Sequence, residues 1–350
     1  MPSQKKNKRR VAVALSGGVD SSVSALLLKR QGFDVVGFYA KCWLPSENDK
    51  CTSDVDEKRA MMVAKQIGIP FYSLDLVEDY KERVFKYFVE TYKRGETPNP
   101  DVVCNKELKF GILFDKVMGL GFDYFATGHY ARKTKDGKFI KAHKDSKKDQ
   151  SYFLARLDKE KISKIIFPLS DLTKKEVREI AKKEGLITSE APESQGICFI
   201  GEVNLREFLS RYIKPQKGLV VEYETNKVLG EHQGVFYYTI GQRKDIRIPG
   251  GPYYVIKKDV NTNTLYVTKD KDKLLTNKIK FNDVYVFSEN GLSGKLEAKI
   301  RSQQEFKRCE IKKDKNGFFA IFDEPQWGVA PGQVIAFYKQ KKLIGSGIIE

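Results

Sequence analysis

Two groups of residues in this chain have the types and spacing to do chemistry. The first is Ser16-Gly17-Gly18-Val19-Asp20-Ser21-Ser22, set between an apolar run (11–15) and a helical pattern through Val23, Leu26, Leu27 and Lys29. Glycines let backbone N–H groups come close to an anion. Ser21 and Ser22 add hydroxyl donors, and the helix N-terminus adds partial positive charge. No lysine follows Gly18, so this is not a Walker A loop, and the G-x-G-x-x-G dinucleotide spacing is absent. The reading is a phosphate cradle without a lysine. Its plainer alternative is a tight strand-to-helix turn that needs glycine. The second group is a pair of cysteines. Cys104 lies in "TPNPDVVCNKELKFG" (97–111), where Pro98 and Pro100 are expected to keep the chain extended until a helix begins near Val102 or Val103. Cys104 would then sit in the first helical turn, where dipole and free N–H groups lower a thiol's pKa. Cys198 lies near Gly196 in "APESQGICFIGE" (191–202). Taken singly, each cysteine reads first as a small buried residue.

Alternating strands and helices must position these groups. "DVVGFYA" (34–40), "PFYSLDL" (70–76) and "FDYFATG" (122–128) read as strands. "SDVDEKRAMMVAKQIG" (53–68) reads as a helix closed by Gly68, and 78–95 as a helix with Val84, Phe88 and Tyr92 on one face. This order predicts a parallel sheet covered on both faces. "DLTKKEVREIAKKEG" (171–185) carries a capping box of Thr173 and Glu176, with Leu172 and Val177 as a hydrophobic staple. That signal is purely local and says nothing of function. After about residue 200 the pattern turns to β: 234–244, 253–259 and 264–270, then a series of short strands from Asn277 onward that predicts a small barrel or sandwich.

Composition narrows the partners. The 350 residues carry 63 Lys and Arg against 46 Asp and Glu, a net charge of +17 that suits a polyanion such as nucleic acid or, more blandly, a lysine-rich surface. No apolar run approaches the ~20 residues of a membrane helix. The basic start "MPSQKKNKRR" lacks the apolar stretch of a signal peptide and is short for a transit peptide. The five cysteines (Cys42, Cys51, Cys104, Cys198, Cys309) are few, odd in number and scattered, which is no disulfide framework. A cytoplasmic protein with reduced thiols and no membrane partner is expected.

"SGGVDS" resembles the pyrophosphate (PP) loop of N-type ATP pyrophosphatases, which cleave ATP to AMP and pyrophosphate while adenylating a carbonyl or carboxylate oxygen. With "NPDVVCNKELKFG", "ATGHYAR", "KDQSYFL", "SQGICFIGE", "YTIGQRK", "PGGPYYV" and "GVAPGQ", the chain resembles the tRNA-specific 2-thiouridylases from Ser16 to its C-terminal "GIIE". The resemblance implies an α/β fold: a basic tail (1–10), then an N-terminal Rossmann-like parallel sheet of the adenine nucleotide α-hydrolase type (11–204). A small central α+β or β domain (205–275) and a C-terminal tRNA-binding β-barrel (276–350) would follow. It implies sulfur transfer to carbon 2 of the wobble uridine, position 34, of tRNA.

Carried over residue by residue, the resemblance places ATP on Ala14, Leu15, Ser16, Gly17, Gly18, Val19, Asp20, Ser21, Ala40 and Gly128, with Mg²⁺. Ala40 stands where relatives usually have a methionine. Cys104 matches the nucleophile, Cys198 the persulfide carrier and Asp101 the acid/base, within the base-contacting segment Asn99–Pro100–Asp101. Lys148, Asp149, Gln150, His129, Arg301, Ser302 and Gln333 match tRNA-contacting positions; Ser302 replaces a common tyrosine. A transient Cys104–Cys198 disulfide, a sulfur donor such as a cysteine desulfurase or relay protein, and no resident metal follow. An iron–sulfur cluster on Asp101, Cys104 and Cys198 is the alternative route for sulfur.

The remaining residues read more plainly. His129 is expected as a polar wall. Arg243 and Lys244 lean to RNA, and Trp43 and Trp327 to packing. Cys42 and Cys51 lack the further ligands of a zinc site. Two rival classes remain: a small-molecule PP-loop ligase of the argininosuccinate or GMP synthetase kind, and an RNA-binding scaffold with a dead ATP site. Neither accounts for cysteines, basic barrel and intact loop together.

Overall fold

The computed structural model describes residues 8–43, 53–192, 204–246, 248–289 and 291–350. The chain forms two compact units, one of residues 1–84 and 101–202, the other of 85–100 and 203–350.

The first unit is built on a five-stranded parallel sheet. Its strands are β1 (Arg10–Ala14), β2 (Asp34–Lys41), β3 (Phe71–Asp75), β4 (Tyr124–Ala126) and β5 (Ile165–Ile166), in the order β3-β2-β1-β4-β5. Val11, Ala12 and Val13 are completely buried, because both faces of the central strand are covered. Val11, Val13 and Leu15 join the core made by helices α1 (Val19–Arg30), α2 (Ser53–Ile67) and α5 (Lys174–Lys183). On the other face Phe125 meets Phe110 and Phe114, and Phe38 meets Phe122, all edge to face. The capping box of α5 forms as expected: Thr173 Oγ1 accepts from Glu176 N, and Glu176 accepts from Thr173 N.

In the second unit α3 (Lys86–Lys93) and α6 (Leu205–Ser210) join an aromatic cluster of Phe85, Phe88, Phe208 and Tyr212. A small sheet follows in the order β8-β9-β6-β7, made of β6 (Gly218–Glu222), β7 (Val228–His232), β8 (Tyr254–Asp259) and β9 (Thr264–Thr268). Then come β10 (Leu275–Val286), β11 (Gly294–Lys299), β12 (Lys307–Asp314), β13 (Gly317–Trp327), β14 (Val334–Lys339) and β15 (Lys342–Ile349). They run antiparallel in the order β10-β13-β12-β11-β14-β15, and β15 pairs back onto β10 to close a barrel.

Two local expectations need correcting. The stretch 234–244 is not a strand: it makes one tight helical turn, Val235–Tyr237, followed by turns. Gly234 and Gly241 have positive φ, and Tyr237 and Tyr238 are buried side by side, which an alternating strand does not allow. The helix near Cys104 (α4, Pro100–Val103) begins at Pro100 itself, the first helical position that proline tolerates well. Cys104 is therefore the fifth helical residue, past the first turn, where the dipole argument weakens. From Cys104 to Leu113 the helix is wound wide, in the π manner, with a kink at Gly111.

Candidate active site

The glycine-rich loop follows β1 directly. Leu15 N–H still donates to Phe38 O (2.8 Å), and the chain then turns through Gly17, at φ +77°, into α1. A Cβ on Gly17 would lie 2.4 Å from the Asp56 carbonyl oxygen, so no side chain fits there. The serine hydroxyls do not reach outward as the sequence suggests. Ser21 Oγ donates to Gly18 O (3.0 Å) and also meets Ser16 N and Ser16 Oγ at 3.2 Å. Ser22 Oγ likewise donates to Gly18 O (2.8 Å). The hydroxyls brace the turn. The donors left for an anion are the first-turn N–H groups of α1, which a helix cannot satisfy internally.

The lysine missing from the loop arrives from far along the chain. Lys174, the first residue of α5, places Nζ 2.8 Å from both carboxylate oxygens of Asp20. Tyr130 Oη donates to Asp20 Oδ1 at 2.7 Å. Lys174 is largely buried and Asp20 about one-third exposed, so the pair flanks the N-terminus of α1 at its solvent-facing side. The sequence reading missed both partners. The signal was present: a lysine directly after a helix cap, and a tyrosine in "ATGHYAR".

Gly128, after β4, packs against the same helix start. A Cβ there would lie 2.8 Å from Asp20 C and Ser21 N. Ala40 is partly buried at the C-terminal end of β2, and the Cys42 thiol donates to its carbonyl (3.4 Å). β1 pairs in parallel with both β2 and β4, so Ser16–Ser21, Ala40 and Gly128 all lie at or just past the carboxyl ends of neighbouring strands. That is where open α/β sheets bind ligands.

Around it the other positions take structural work. His129 is buried between Phe110 and Phe167, with Nδ1 2.8 Å from Thr127 Oγ1. Burial first, and Lys109 second, hold its pKa well below the usual 6.5, so it is a neutral ring. Asp149 is buried and accepts from His143 N, Ser151 N and Ser151 Oγ. Gln150 bonds Tyr130 N–H through Oε1 and Tyr130 O through its own N–H, which fixes the ring that reaches Asp20. Cys104 is fully buried, and Asn105 beside it donates to Phe153 O (3.2 Å). Asp101 is partly exposed.

In the second unit Asn99 Nδ2 donates to Gln333 Oε1 (3.3 Å). Arg301 is exposed, stacked over Trp327 at 5.7 Å and tethered to Gly328 O at 2.5 Å. Ser302 O accepts from the buried Lys299. Arg243 and Lys244 are exposed. Trp43 and Trp327 pack, as expected, against Tyr80 and Tyr254. Cys198 and Cys51 lie outside the described residues. Among the described residues no cluster of His, Cys, Asp and Glu could hold a metal, and no helix is long and apolar enough to cross a membrane.

A strand–PP-loop–helix nucleotide domain followed by a small mixed sheet and a closed barrel defines a class of ATP-using α/β protein with β appendages. Family models match each part: "tRNA methyl transferase HUP domain" over residues 9–202, "tRNA methyl transferase PRC-barrel domain" over 206–269 and "Aminomethyltransferase beta-barrel domain" over 271–349. A tRNA-specific 2-thiouridylase (MnmA) of Streptococcus mutans is 44% identical over 98% of this chain and 96% of its own length. One from Enterococcus faecalis is 43% identical over the same shares. The chain belongs to the tRNA-specific 2-thiouridylase family. Among solved structures, the U34-tRNA thiolase NcsA of Methanococcus maripaludis, described with its 4Fe–4S cluster, is 22% identical. It covers 59% of this chain and 66% of its own at a TM-score of 0.37, too loose a likeness to carry an argument.

Proposed function

We propose that this protein uses ATP to place sulfur on carbon 2 of the wobble uridine of tRNA. The observation that carries the reading is the intact pyrophosphate loop, with Asp20 held by Lys174 and Tyr130, in a chain that matches 2-thiouridylases end to end. The family models are labelled for methyl transfer. A loop suited to pyrophosphate, in a chain that also carries Cys104 and Cys198 in the motifs of the 2-thiouridylases, favours adenylation and sulfur chemistry over that label.

Carbon 2 of uracil is a urea-like carbonyl, a weak electrophile with a poor leaving group. In the proposed reaction O2 attacks the α-phosphorus of ATP and pyrophosphate leaves. The N–H groups of Gly17 to Ser21 would receive it, and Mg²⁺ would accompany the nucleotide, bound chiefly to its phosphates. Ala14, Leu15, Ser16, Ala40 and Gly128 would shape the ATP site. The terminal sulfur of a Cys198 persulfide then attacks carbon 2 and AMP leaves with the former O2. Cys104, as thiolate, attacks Cys198 Sγ and breaks the S–S bond. This frees 2-thiouridine and leaves a Cys104–Cys198 disulfide for a two-electron reductant to reset. Asp101 would move the proton at the base, with Asn99 and Pro100 beside it. The uridine must leave its stack to reach these groups.

Lys148, Asp149, Gln150, His129, Arg301, Ser302 and Gln333 complete the proposed tRNA-facing set. Asp149, Gln150 and the neutral His129 would act by shaping the loops, and the exposed Arg301 by direct contact. We assign the catalytic domain to 11–204, the central domain to 205–275 and the barrel to 276–350, in a cytoplasmic enzyme supplied by a desulfurase or relay protein. Purified protein with ATP, Mg²⁺, tRNA and a persulfide donor tests the reading. Cys198→Ala should abolish thiolation. Its rescue by free sulfide, with an iron–sulfur absorption band, would shift sulfur delivery to a cluster on Asp101, Cys104 and Cys198.

A further inference from the structure

The segment Thr97–Asn99 leads directly into the helix that carries Asp101 and Cys104. Within the second unit this segment is strapped to the loop Ala330–Gln333, before β14. Thr97 N–H donates to Pro331 O at 2.7 Å, and Thr97 Oγ1 donates to Thr239 Oγ1 at 3.2 Å. Gln333 Nε2 donates to Thr97 O (3.0 Å) and to Pro98 O (2.8 Å), while its Oε1 accepts from Asn99 Nδ2 (3.3 Å). A primary amide has two N–H protons, and both are used on backbone carbonyls. Gln333 thus has no donor left for a phosphate or ribose oxygen. Pro98 has no N–H of its own, so its carbonyl is the backbone group through which it can be held. Gly332 completes the fit. It has φ +88°, and a Cβ there would lie 2.9 Å from both Thr97 O and Glu96 Cβ. The loop is itself anchored, since Gly332 N–H donates to Ile349 O and Ile349 N–H to Gln333 O.

We infer that Gln333 is a positioning residue: it holds Thr97–Asn99, the stretch that leads into Asp101, rather than offering its amide to tRNA. The inference rests on the proposed thiolation and gives the tRNA-facing assignment of Gln333 a different physical content. Losing the three bonds of the Gln333 amide loosens the base-facing segment. A misplacement of about 1 Å costs reactions on the order of a hundredfold.

The test compares wild type with Gln333→Ala, Gln333→Glu and Asn99→Ala, plus the double variant Asn99→Ala/Gln333→Ala. Three quantities are read: tRNA Kd with its salt dependence, the single-turnover thiolation rate at saturating tRNA, and the melting temperature. Gln333→Glu keeps size and the acceptor for Asn99 but removes both donors, so it should behave like Gln333→Ala. Both should lower the single-turnover rate roughly ten- to a hundredfold while leaving Kd within about threefold and the salt slope unchanged. The double variant should be no slower than the worse single variant. A Kd weakened by the same factor, with the rate on bound tRNA intact, would overturn the inference. So would a wild-type rate in Gln333→Glu. Failure of wild type to make 2-thiouridine would instead overturn the proposed function.

Discussion

Gly128→Ala is the sharpest perturbation of the nucleotide site. The added Cβ would stand 2.8 Å from Asp20 C and Ser21 N, and 3.2 Å from Asp20 Cβ. Ordinary contact begins at 3.4 Å, so the loop after β4 and the start of α1 must separate by roughly 0.6 Å. Helix α1 cannot retreat, because Val23, Ala25 and Leu28 on its inner face are completely buried. The backbone carrying the first-turn N–H groups must therefore shift or tilt. Overpacking of this kind costs about 1–3 kcal/mol of stability. Scaled from the hundredfold cost of about 1 Å, the displaced donors should lower kcat/KM for ATP on the order of tenfold. The assay is pyrophosphate release across a range of ATP concentrations, run with thermal melts. Gly119→Ala, where a Cβ meets nothing within 4 Å, is the control. Wild-type pyrophosphate release by Gly128→Ala would refute the claim that this close approach sets the loop.

Further outcomes follow from other contacts. Lys174→Ala removes a charged partner of Asp20 that is itself about one-third exposed; allowing for solvent, the loss is about 1–2 kcal/mol, read as roughly tenfold slower pyrophosphate release. Lys174→Arg should rescue it poorly, since a planar fork does not replace a compact ammonium. Thr173→Ala breaks the capping box under that lysine and should cost about 1 kcal/mol in urea titration. His129 stays neutral in the folded protein while its unfolded counterpart takes up a proton below about 6.5. Its contribution is complete above that pH and is lost as pH falls below it. His129→Phe should flatten the decline in stability between pH 7.5 and 5.5.

Much of this architecture was legible in the sequence, and the exceptions have physical causes. The parallel sheet declared itself because Val11–Val13 and Val35–Phe38 are buried on both faces and read as unbroken apolar runs. The cap of α5 was visible because it is chemistry within four residues. Strand β12 did not stand out, since only Cys309 and Ile311 alternate inward among charged neighbours. At 234–244 an alternating pattern suggested a strand, and tertiary burial of adjacent tyrosines overrode it. In the site, the glycine loop was readable because backbone approach needs glycine. The pairing of Asp20 with Lys174 spans 154 residues and follows from the fold alone. The grip of Gln333 on Thr97 and Pro98, 236 and 235 residues away, is equally invisible in the linear chain.

The most direct test of the central claim is nucleoside mass spectrometry of tRNA incubated with the purified protein, ATP, Mg²⁺ and a persulfide donor. The account predicts 2-thiouridine at position 34, with AMP and pyrophosphate formed in step. It also predicts none with Cys104→Ala, although that variant still folds. AMP formation without thiolated tRNA, or thiolation undiminished in Cys104→Ala, would contradict it.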